Sequence, residues 1–275
     1  MTSSDWGDWL PRTIASAEPD GVSLWYLGCN GFALKADDGT TLFIDPYLGT
    51  GDPPRTIRMI PIPFDPQDIR EADAILATHE HSDHVDAESQ APIMAETSAT
   101  LYGSHASIDA TKTDDWAKWE LDRSQFATIS PGDRVTIGSF TIAIEPAHDP
   151  DAAGDLSYLI QHDAGTIFHG GDTRPGEAFQ SIGNQYEIDI AIAAFGTTGM
   201  IPDKQTRIPK RTRWYNDENQ VIEIASALKA DRLLPTHWDM WKGLTADPTV
   251  LHHHMASYEY PTCLEIVEIG DRIDL

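Results

Sequence analysis

Short apolar runs separated by turn-forming residues are the main pattern along the chain, and most have the length of a β-strand. In the first half they predict strands at residues 22–28, 32–36, 41–45 and 74–78. In the second half they predict strands at 134–146, 156–162, 166–169, 188–194 and 232–235, with a closing pair around 264–275. The chain therefore has two similar halves, each rich in strands.

Helical periodicity lies between these strands. It predicts helices at residues 87–96 and 114–123, and a clearer one at 217–230 that begins with acidic residues. The last helix carries one apolar face, made of Val221, Ile224, Ala225 and Leu228. Sheets with helices outside them predict an α/β fold, a four-layer αββα sandwich. Because no linker divides the sequence, we expect a single domain over residues 1–275.

The polar run His79-Glu80-His81-Ser82-Asp83-His84 follows directly after one predicted strand. Side chains two apart in an extended segment lie on the same side, so His79 and His81 can bind one ion, while Asp83 and His84 face a second position. Burying such groups without partners costs roughly 1–3 kcal/mol each, which makes core packing a poor explanation. The run predicts a metal site; the alternative is a solvated polar loop.

Three other predicted strands also end in potential metal ligands. His148 follows the run 140–144, Asp172 follows 165–168, and His237 ends the segment 233–237. An α/β scaffold gathers ligands from distant parts of the sequence in this way, because strand ends meet at one edge of a sheet.

The order and spacing of these motifs resemble the metallo-β-lactamase superfamily. Within it, residues 25–248 are similar to the L-ascorbate-6-phosphate lactonase subgroup. The segments that carry this likeness are 25–31 (WYLGCNG), 49–51 (GTG), 64–66 (FDP), 75–78 (ILAT), 188–191 (IDIA), 203–204 (DK) and 235–241 (PTHWDMW). The resemblance implies the metallo-β-lactamase fold.

The resemblance also implies a dinuclear metal centre. By position, His79, His81 and His148 would bind the first ion, and Asp83, His84 and His237 the second. Asp172 would bridge the two ions. Zinc and manganese are the leading candidates, since affinity order alone does not select the metal in a cell.

Such a centre predicts a hydrolase. Two divalent ions that share a carboxylate lower the pKa of a bridging water from about 16 to near 7, which provides a metal-bound hydroxide as nucleophile. Asp83 would orient that hydroxide or accept its proton. We expect a small anionic substrate, a lactone or a phosphorylated sugar-like compound. The alternatives are a phosphodiesterase of the same superfamily and a non-hydrolytic metal protein with a redox or sensing role.

The charge of the chain restricts its surroundings and partners. Asp and Glu number 44 against 19 Lys and Arg, which gives a formal net charge of -25. Molar salt screens such charges to a Debye length of about 3 Å, so a salt-rich cytoplasm, as in halophilic organisms, is the expected location, and an acidic mesophilic protein is the alternative. Nucleic acid is not expected as a partner, because phosphate binding needs clustered Lys and Arg. No run approaches the roughly 20 apolar residues of a membrane helix.

Basic residues are nevertheless concentrated in residues 204–213. Lys204 and Arg207, with nearby Arg174, are candidates for binding a substrate phosphate or carboxylate, since Arg offers paired donors that match such groups. A solvated loop or a subunit contact explains the segment equally well, so a homo-oligomer stays open.

Three further features receive structural interpretations. The triplet His252-His253-His254 lies among apolar residues and predicts part of a helix. Cys29 and Cys263 are expected to be reduced and unpaired. Asp45, at the end of a predicted strand, is expected to hold loop backbone in place.

Overall fold

The computed structural model describes Ser4 and residues 6–275; the expected domain also includes residues 1–3 and 5, which lie outside the described residues. Strands dominate the described part. They are β1 Val22–Gly28, β2 Gly31–Ala36, β3 Thr41–Ile44, β4 Ala74–Leu76, β5 Thr100–Gly103, β6 Phe126–Thr128, β7 Arg134–Ile137, β8 Phe140–Pro146, β9 Leu156–His162, β10 Gly165–His169, β11 Ile190–Ala194, β12 Gly199–Pro202, β13 Pro209–Thr212, β14 Arg232–Thr236, β15 Cys263–Leu264 and β16 Arg272–Asp274.

In the described residues these strands form two seven-stranded sheets and one separate hairpin. The first sheet has the order β16-β1-β2-β3-β4-β5-β6, the second has the order β15-β14-β11-β10-β9-β8-β7, and β12 pairs with β13. In the first sheet, β1 to β3 are antiparallel and β3 to β6 are parallel. In the second, β7 to β10 are antiparallel and β10, β11, β14 and β15 are parallel. The similarity of the two halves is thus confirmed.

Helices cover the outer faces of the sheets. They are α1 Trp9–Ser16, α2 Ala87–Thr97, α3 His105–Ala110, α4 Asp114–Ala117, α5 Glu177–Gln185, α6 Glu218–Leu228 and α7 Leu251–Met255, with 3₁₀ turns at Pro66–Asp68, Arg123–Gln125 and Pro248–Val250. Helix α6 confirms the predicted helix over 217–230. It begins at a capping box between Asp217 and Gln220 and ends where Lys229 adopts φ of 54°.

Side chains alternate between an inner and an outer core along each strand. In β1, Leu24 and Tyr26 point into the core between the two sheets, whereas Trp25 and Leu27 pack in the core under α1 and α2. A third apolar core lies between the second sheet and the helices α5, α6 and α7. The order of layers is therefore helix, sheet, sheet, helix, which confirms the predicted αββα sandwich.

The largest differences from the predicted elements concern two boundaries and one pairing. The strand predicted over 134–146 is the hairpin of β7 and β8, because Gly138 turns the chain with φ of 53°. The helix predicted over 114–123 ends at Ala117, before Glu120 adopts φ of 52°. The closing pair is split, since β15 pairs with β14 and β16 pairs with β1. Among the described residues, no helix is long and apolar enough to cross a membrane.

Candidate metal centre

The predicted ligands converge at the carboxyl ends of the parallel strands. The loop from His79 to His84 follows β4, Asp172 follows β10, and His237 follows β14 directly. Close packing joins two of these loops, because a side-chain carbon at Gly171 (φ 57°) would lie 2.8 Å from Thr78 Cβ. A glycine is thus needed where the Asp172 turn crosses the end of β4.

One group of ligand atoms surrounds the start of the histidine loop. His79 Nε2 lies 2.9 Å from His81 Nδ1. Asp149 Oδ2 lies 3.8 Å from each of these two nitrogens. Ligands of one tetrahedral zinc ion lie about 3.3 Å apart, given metal–ligand bonds of about 2.0–2.2 Å. His79, His81 and Asp149, which we call the first cluster, therefore match the spacing of a shared ion.

A second group of atoms lies around Asp172. Its two carboxylate oxygens face different histidines: Oδ2 is 3.6 Å from His84 Nε2 and Oδ1 is 3.1 Å from His237 Nε2. His79, His84 and Asp172 form the second cluster with metal-ligand spacing. Asp172 therefore lies between two ligand nitrogens, and its bridging role stays a prediction.

A third cluster joins Asp83 and His237 to a residue that sequence reasoning did not place in the site, Cys29. Asp83 Oδ2 lies 3.9 Å from His84 Nε2, so the second and third clusters are contiguous. The ring of His237 is stacked on Tyr215, with centroids 4.3 Å apart. This stacking fixes the direction of the imidazole.

Unsatisfied buried atoms support a cation at this place. In the described part of the chain, His84 Nε2 and Asp172 Oδ1 are buried and make no hydrogen bond. Such atoms cost roughly 1–3 kcal/mol each when left unpaired. Both atoms lie within 3.6 Å of another ligand atom of the centre, so a divalent cation shared with these neighbours would satisfy them, and the residues fit a metal centre.

Asp45 supports His84 from behind. Its Oδ1 accepts a hydrogen bond from the Thr78 backbone nitrogen at 2.8 Å, and its Oδ2 accepts one from Thr78 Oγ1 at 2.6 Å. His84 Nδ1 lies 2.7 Å from the same Oδ2. The expectation that Asp45 holds loop backbone is confirmed. Its contact with Nδ1 also leaves His84 Nε2 free to bind metal, the usual arrangement of an outer-sphere carboxylate.

The surroundings lower the pKa of one of these histidines and raise the pKa of another. Burial, and next the ring of His84, lower the pKa of His79 well below its usual range, so this imidazole keeps its lone pair. Burial alone would lower the pKa of His84, but the carboxylates of Asp45, Asp172 and Asp83 raise it. Three carboxylates around one buried imidazole are a surplus of negative charge that a divalent cation balances.

Burial and neighbouring charges also decide the pKa values of the acidic groups in the centre. Burial alone would raise the pKa of Asp172, but the facing rings of His237 and His84 hold it well below its usual range. Burial raises the pKa of Asp149 to about 6. Burial, followed by the charges of Asp83 and Asp172, raises the pKa of the Cys29 thiol well above its usual value.

The position of His148 departs from the ligand set implied by the family resemblance. Its side chain is exposed, and it belongs to none of the three clusters in the described residues. Its neighbour Asp149 is buried and faces His79 and His81 instead. The sequence did contain a signal for Asp149, an acidic residue in the same loop, but spacing alone could not decide between two adjacent side chains.

We expect Asp149→Ala to release the first ion and His148→Ala to retain it. Loss of a ligand from the first cluster should weaken binding by more than the roughly 10–100-fold cost of losing an outer-sphere partner. Elemental analysis after dialysis, with circular dichroism as a check on folding, measures both variants. The opposite order of effects would restore His148 as the ligand.

The three candidate substrate contacts lie in different settings. The guanidinium of Arg174 is occupied by backbone carbonyls: Nη2 donates to Trp214 O at 2.6 Å, and Nη1 donates to Tyr215 O. Lys204 and Arg207 are exposed in the turn between β12 and β13. The structure therefore gives Arg174 a role in tying two loops together and leaves the turn residues available to a ligand.

The remaining sequence interpretations agree with the structure. His252, His253 and His254 lie in helix α7, as predicted. Cys29 is buried, Cys263 is exposed, and both are free thiols. His169 is buried at the end of β10, where its Nε2 lies 3.0 Å from Asn30 O. This contact gives the side chain a structural role.

Comparison with known proteins gives the family. The profile of the Beta-lactamase superfamily domain matches residues 40–238, and the chain belongs to this superfamily. The UlaG proteins of Escherichia coli (strain SMS-3-5 / SECEC) and Escherichia fergusonii, described as probable L-ascorbate-6-phosphate lactonases, are each 27% identical to it, over 90% of this chain and 78% of theirs. The resemblance seen in the sequence is thus confirmed.

Solved structures share the fold. Igni18, a metallo hydrolase from the archaeon Ignicoccus hospitalis, superposes with a TM-score of 0.68 at 20% identity over 92% of this chain and 98% of that one. CmlA, a diiron β-hydroxylase from Streptomyces venezuelae, gives 0.66 at 16% identity over 94% of this chain and 55% of that one. Fold and family together define this chain as a member of the Beta-lactamase superfamily with the metallo-β-lactamase fold.

Proposed function

We propose that the protein hydrolyses a small anionic lactone or phosphorylated sugar-like compound with the aid of two divalent metal ions. The observation that carries the proposal is the convergence of His79, His81, His84, Asp172 and His237 at strand ends of both sheets, with two buried ligand atoms that make no hydrogen bond in the described residues. The predicted ligand set extends this group with Asp83 and His148, and the structure adds Asp149.

The metal ions, zinc or manganese in this proposal, would polarise the carbonyl or phosphoryl group under attack and make water a nucleophile at neutral pH. The chain itself supplies the remaining functions. Asp172 holds the two halves of the centre in register, because its oxygens face His84 and His237. Asp83 is partly exposed and would accept the proton of the attacking water through a carboxylate oxygen that does not bind the ion.

The substrate class rests on the relatives and on charge. The UlaG relatives are described as probable L-ascorbate-6-phosphate lactonases, so a phosphorylated lactone is the first compound to test. On a chain with a net charge of -25, an anionic substrate needs a local group of cations. The exposed Lys204 and Arg207 would provide it. Nucleic acid is not proposed as a partner, and a homo-oligomer stays a possible assembly.

A redox function is the second candidate, because the diiron β-hydroxylase CmlA shares this fold. The two candidates predict different metals and different reactions. A hydrolase works with redox-inactive zinc under nitrogen, whereas a diiron oxygenase consumes dioxygen. A phosphodiesterase would differ from a lactonase only in the substrate that it cleaves.

The test is a comparison of three substrates with the metal-loaded protein, under nitrogen and in air, in low salt and in molar KCl. L-ascorbate 6-phosphate, an unphosphorylated sugar lactone and a phosphodiester are compared, with Asp83→Asn as the matched variant. We expect opening of the phosphorylated lactone, strongest in KCl if the acidic surface is an adaptation to a salt-rich cytoplasm, and lost in Asp83→Asn. Cleavage of the phosphodiester alone would favour the phosphodiesterase. Turnover that requires dioxygen would favour the redox protein.

Replacing Lys204 and Arg207 together by alanine should raise KM for a phosphorylated lactone and leave kcat nearly unchanged. Exposed charge contacts are typically worth about 0.2–1 kcal/mol each, so the expected rise for the two together is roughly two- to thirtyfold. Lys112→Ala, which removes an exposed cation paired with Asp109, is the control for net charge. An equal KM in the double variant and the wild type would exclude this turn from substrate binding.

A further inference from the structure

Cys29 is a buried thiol at the centre that the proposed hydrolysis does not use. It lies in the turn between β1 and β2, and its side chain has no exposed area. Its other neighbours are apolar, including Tyr47, Met240 and Trp241. A core cysteine packed among such residues is the ordinary explanation for a buried thiol.

The sulfur, however, also faces two predicted metal ligands. Cys29 Sγ lies 3.7 Å from His237 Nε2 and 4.0 Å from Asp83 Oδ2. Zinc–sulfur and zinc–nitrogen bonds of about 2.3 and 2.0 Å place the two ligand atoms of one tetrahedral ion about 3.5 Å apart. The observed separations are within half an ångström of that value, so the three side chains can share one ion without a change of backbone.

The backbone holds Cys29 in this position. Its φ is 61°, a left-handed conformation that is uncommon for residues with a side chain. The carbonyl of Cys29 accepts hydrogen bonds from the His237 backbone nitrogen at 3.0 Å and from Tyr26 Oη at 3.1 Å. His237, on the other side of this contact, also has a positive φ of 62°. The two turns are therefore fixed against each other.

Two buried ligand atoms that make no hydrogen bond in the described residues lie beside the other members of this cluster. Asp172 Oδ1 lies 3.1 Å from His237 Nε2, and His84 Nε2 lies 3.9 Å from Asp83 Oδ2. Both Asp172 Oδ1 and His84 Nε2 are buried and lack a hydrogen bond in the described residues. A cation bound by Cys29, Asp83 and His237 would therefore lie close to both atoms.

We propose that Cys29 is a thiolate ligand of the second metal ion, together with Asp83 and His237. This inference rests on the proposed metal centre and narrows it. The thiol proton leaves to solvent as sulfur binds the metal, as for other cysteine ligands. Thiolate is a soft ligand that selects zinc and disfavours manganese, which binds through carboxylate, carbonyl and water. The second ion is then zinc.

Cobalt(II) gives a direct test, because a cobalt–thiolate bond adds an intense charge-transfer absorption in the near ultraviolet. Metal-free protein is titrated with cobalt(II) in buffered KCl, and bound cobalt is counted by elemental analysis. Four proteins are compared: the wild type, C29S, C29A and C263S. C263S is the matched control, since Cys263 is the exposed cysteine and lies in β15.

The proposal expects the charge-transfer band in wild type and C263S and its loss in C29S and C29A. Both Cys29 variants should also bind the second ion at least tenfold more weakly, a loss no smaller than the roughly 10–100-fold cost of an outer-sphere partner. C29S preserves the size of the side chain, and thermal unfolding of metal-free protein shows whether either variant is merely misfolded.

Other outcomes overturn the proposal in distinguishable ways. Cobalt bound by wild type without the band would exclude Cys29 as a ligand and leave the metal centre intact. A band that persists in C29A and disappears in C263S would assign it to the exposed thiol. Failure of wild type to bind cobalt or zinc would overturn both this inference and the proposed function.

Discussion

Asp172→Ala is expected to cause the largest loss of function of any single substitution in this chain. Its two oxygens face His84 and His237, so its removal separates the two sides of the predicted centre. Metal ions stabilise transition-state charge by several kcal/mol, and a loss of about 4 kcal/mol lowers the rate roughly a thousandfold. We expect about two ions per wild-type chain, in line with a two-metal hydrolase, and a clear deficit in the variant.

Elemental analysis of dialysed protein measures this directly, alongside hydrolysis rates. His79→Ala is a useful second variant, because His79 contributes to two of the clusters and its loss should disturb both ions. Asp163→Ala, in the exposed turn between β9 and β10, is the matched control and should retain metal and activity. A wild-type protein that holds less than half an ion per chain after addition of zinc or manganese would refute the metal centre and the hydrolase with it.

Strands with alternating or continuous apolar residues were predictable from the sequence. Strands β1, β9 and β11 are nearly fully buried, and their apolar runs stand out against the acidic background. Short edge elements were not predictable in the same way. Strand β6 was missed because three residues give a weak periodic signal, and helix α5 was missed although its buried residues Phe179, Ile182 and Gly183 lie on one face.

The metal centre was predictable to the extent that its ligands are close in sequence. The spacing of His79, His81 and His84 identifies a metal loop, and strand ends locate Asp172 and His237. Asp149 and Cys29 could not be assigned in this way. Their roles depend on which of two adjacent side chains a loop buries, and on a left-handed turn that aims a thiol at His237. Such details follow from tertiary packing.

Arg174 illustrates the limit of reasoning from charge. Its place two residues after Asp172 suggests a substrate contact, yet its guanidinium donates to the carbonyls of Trp214 and Tyr215. Buried carbonyl groups need donors, and an arginine can satisfy several at once. The sequence records the cation but not the carbonyl groups that surround it.

Asp45→Asn is expected to destabilise the fold and to weaken metal binding together. Asp45 is fully buried and accepts hydrogen bonds from the backbone nitrogen and the hydroxyl of Thr78, while its Oδ2 also contacts His84 Nδ1. Asparagine tolerates the left-handed backbone of this position, where φ is 42°, so strain does not confuse the result. It can accept through one oxygen only, which leaves buried donors unpaired.

Each unsatisfied buried donor costs roughly 1–3 kcal/mol, so we expect the free energy of unfolding to fall by about 2–4 kcal/mol. Denaturant unfolding of metal-free protein measures this cost without any contribution from bound metal. Asp73→Asn is the matched control, because Asp73 is exposed and its carboxylate accepts a hydrogen bond from Thr41 N at 2.8 Å. Its expected loss is at most about 1 kcal/mol.

The metal affinity gives the second half of the test. His84 would lose the carboxylate that orients its ring, and outer-sphere losses of this kind lower metal affinity roughly 10–100-fold. Zinc titration should therefore show weaker binding in Asp45→Asn and unchanged binding in Asp73→Asn. If Asp45→Asn is destabilised but binds zinc as tightly as the wild type, Asp45 supports only the loop, and His84 Nε2 is directed towards the metal by the packing of the two sheets alone.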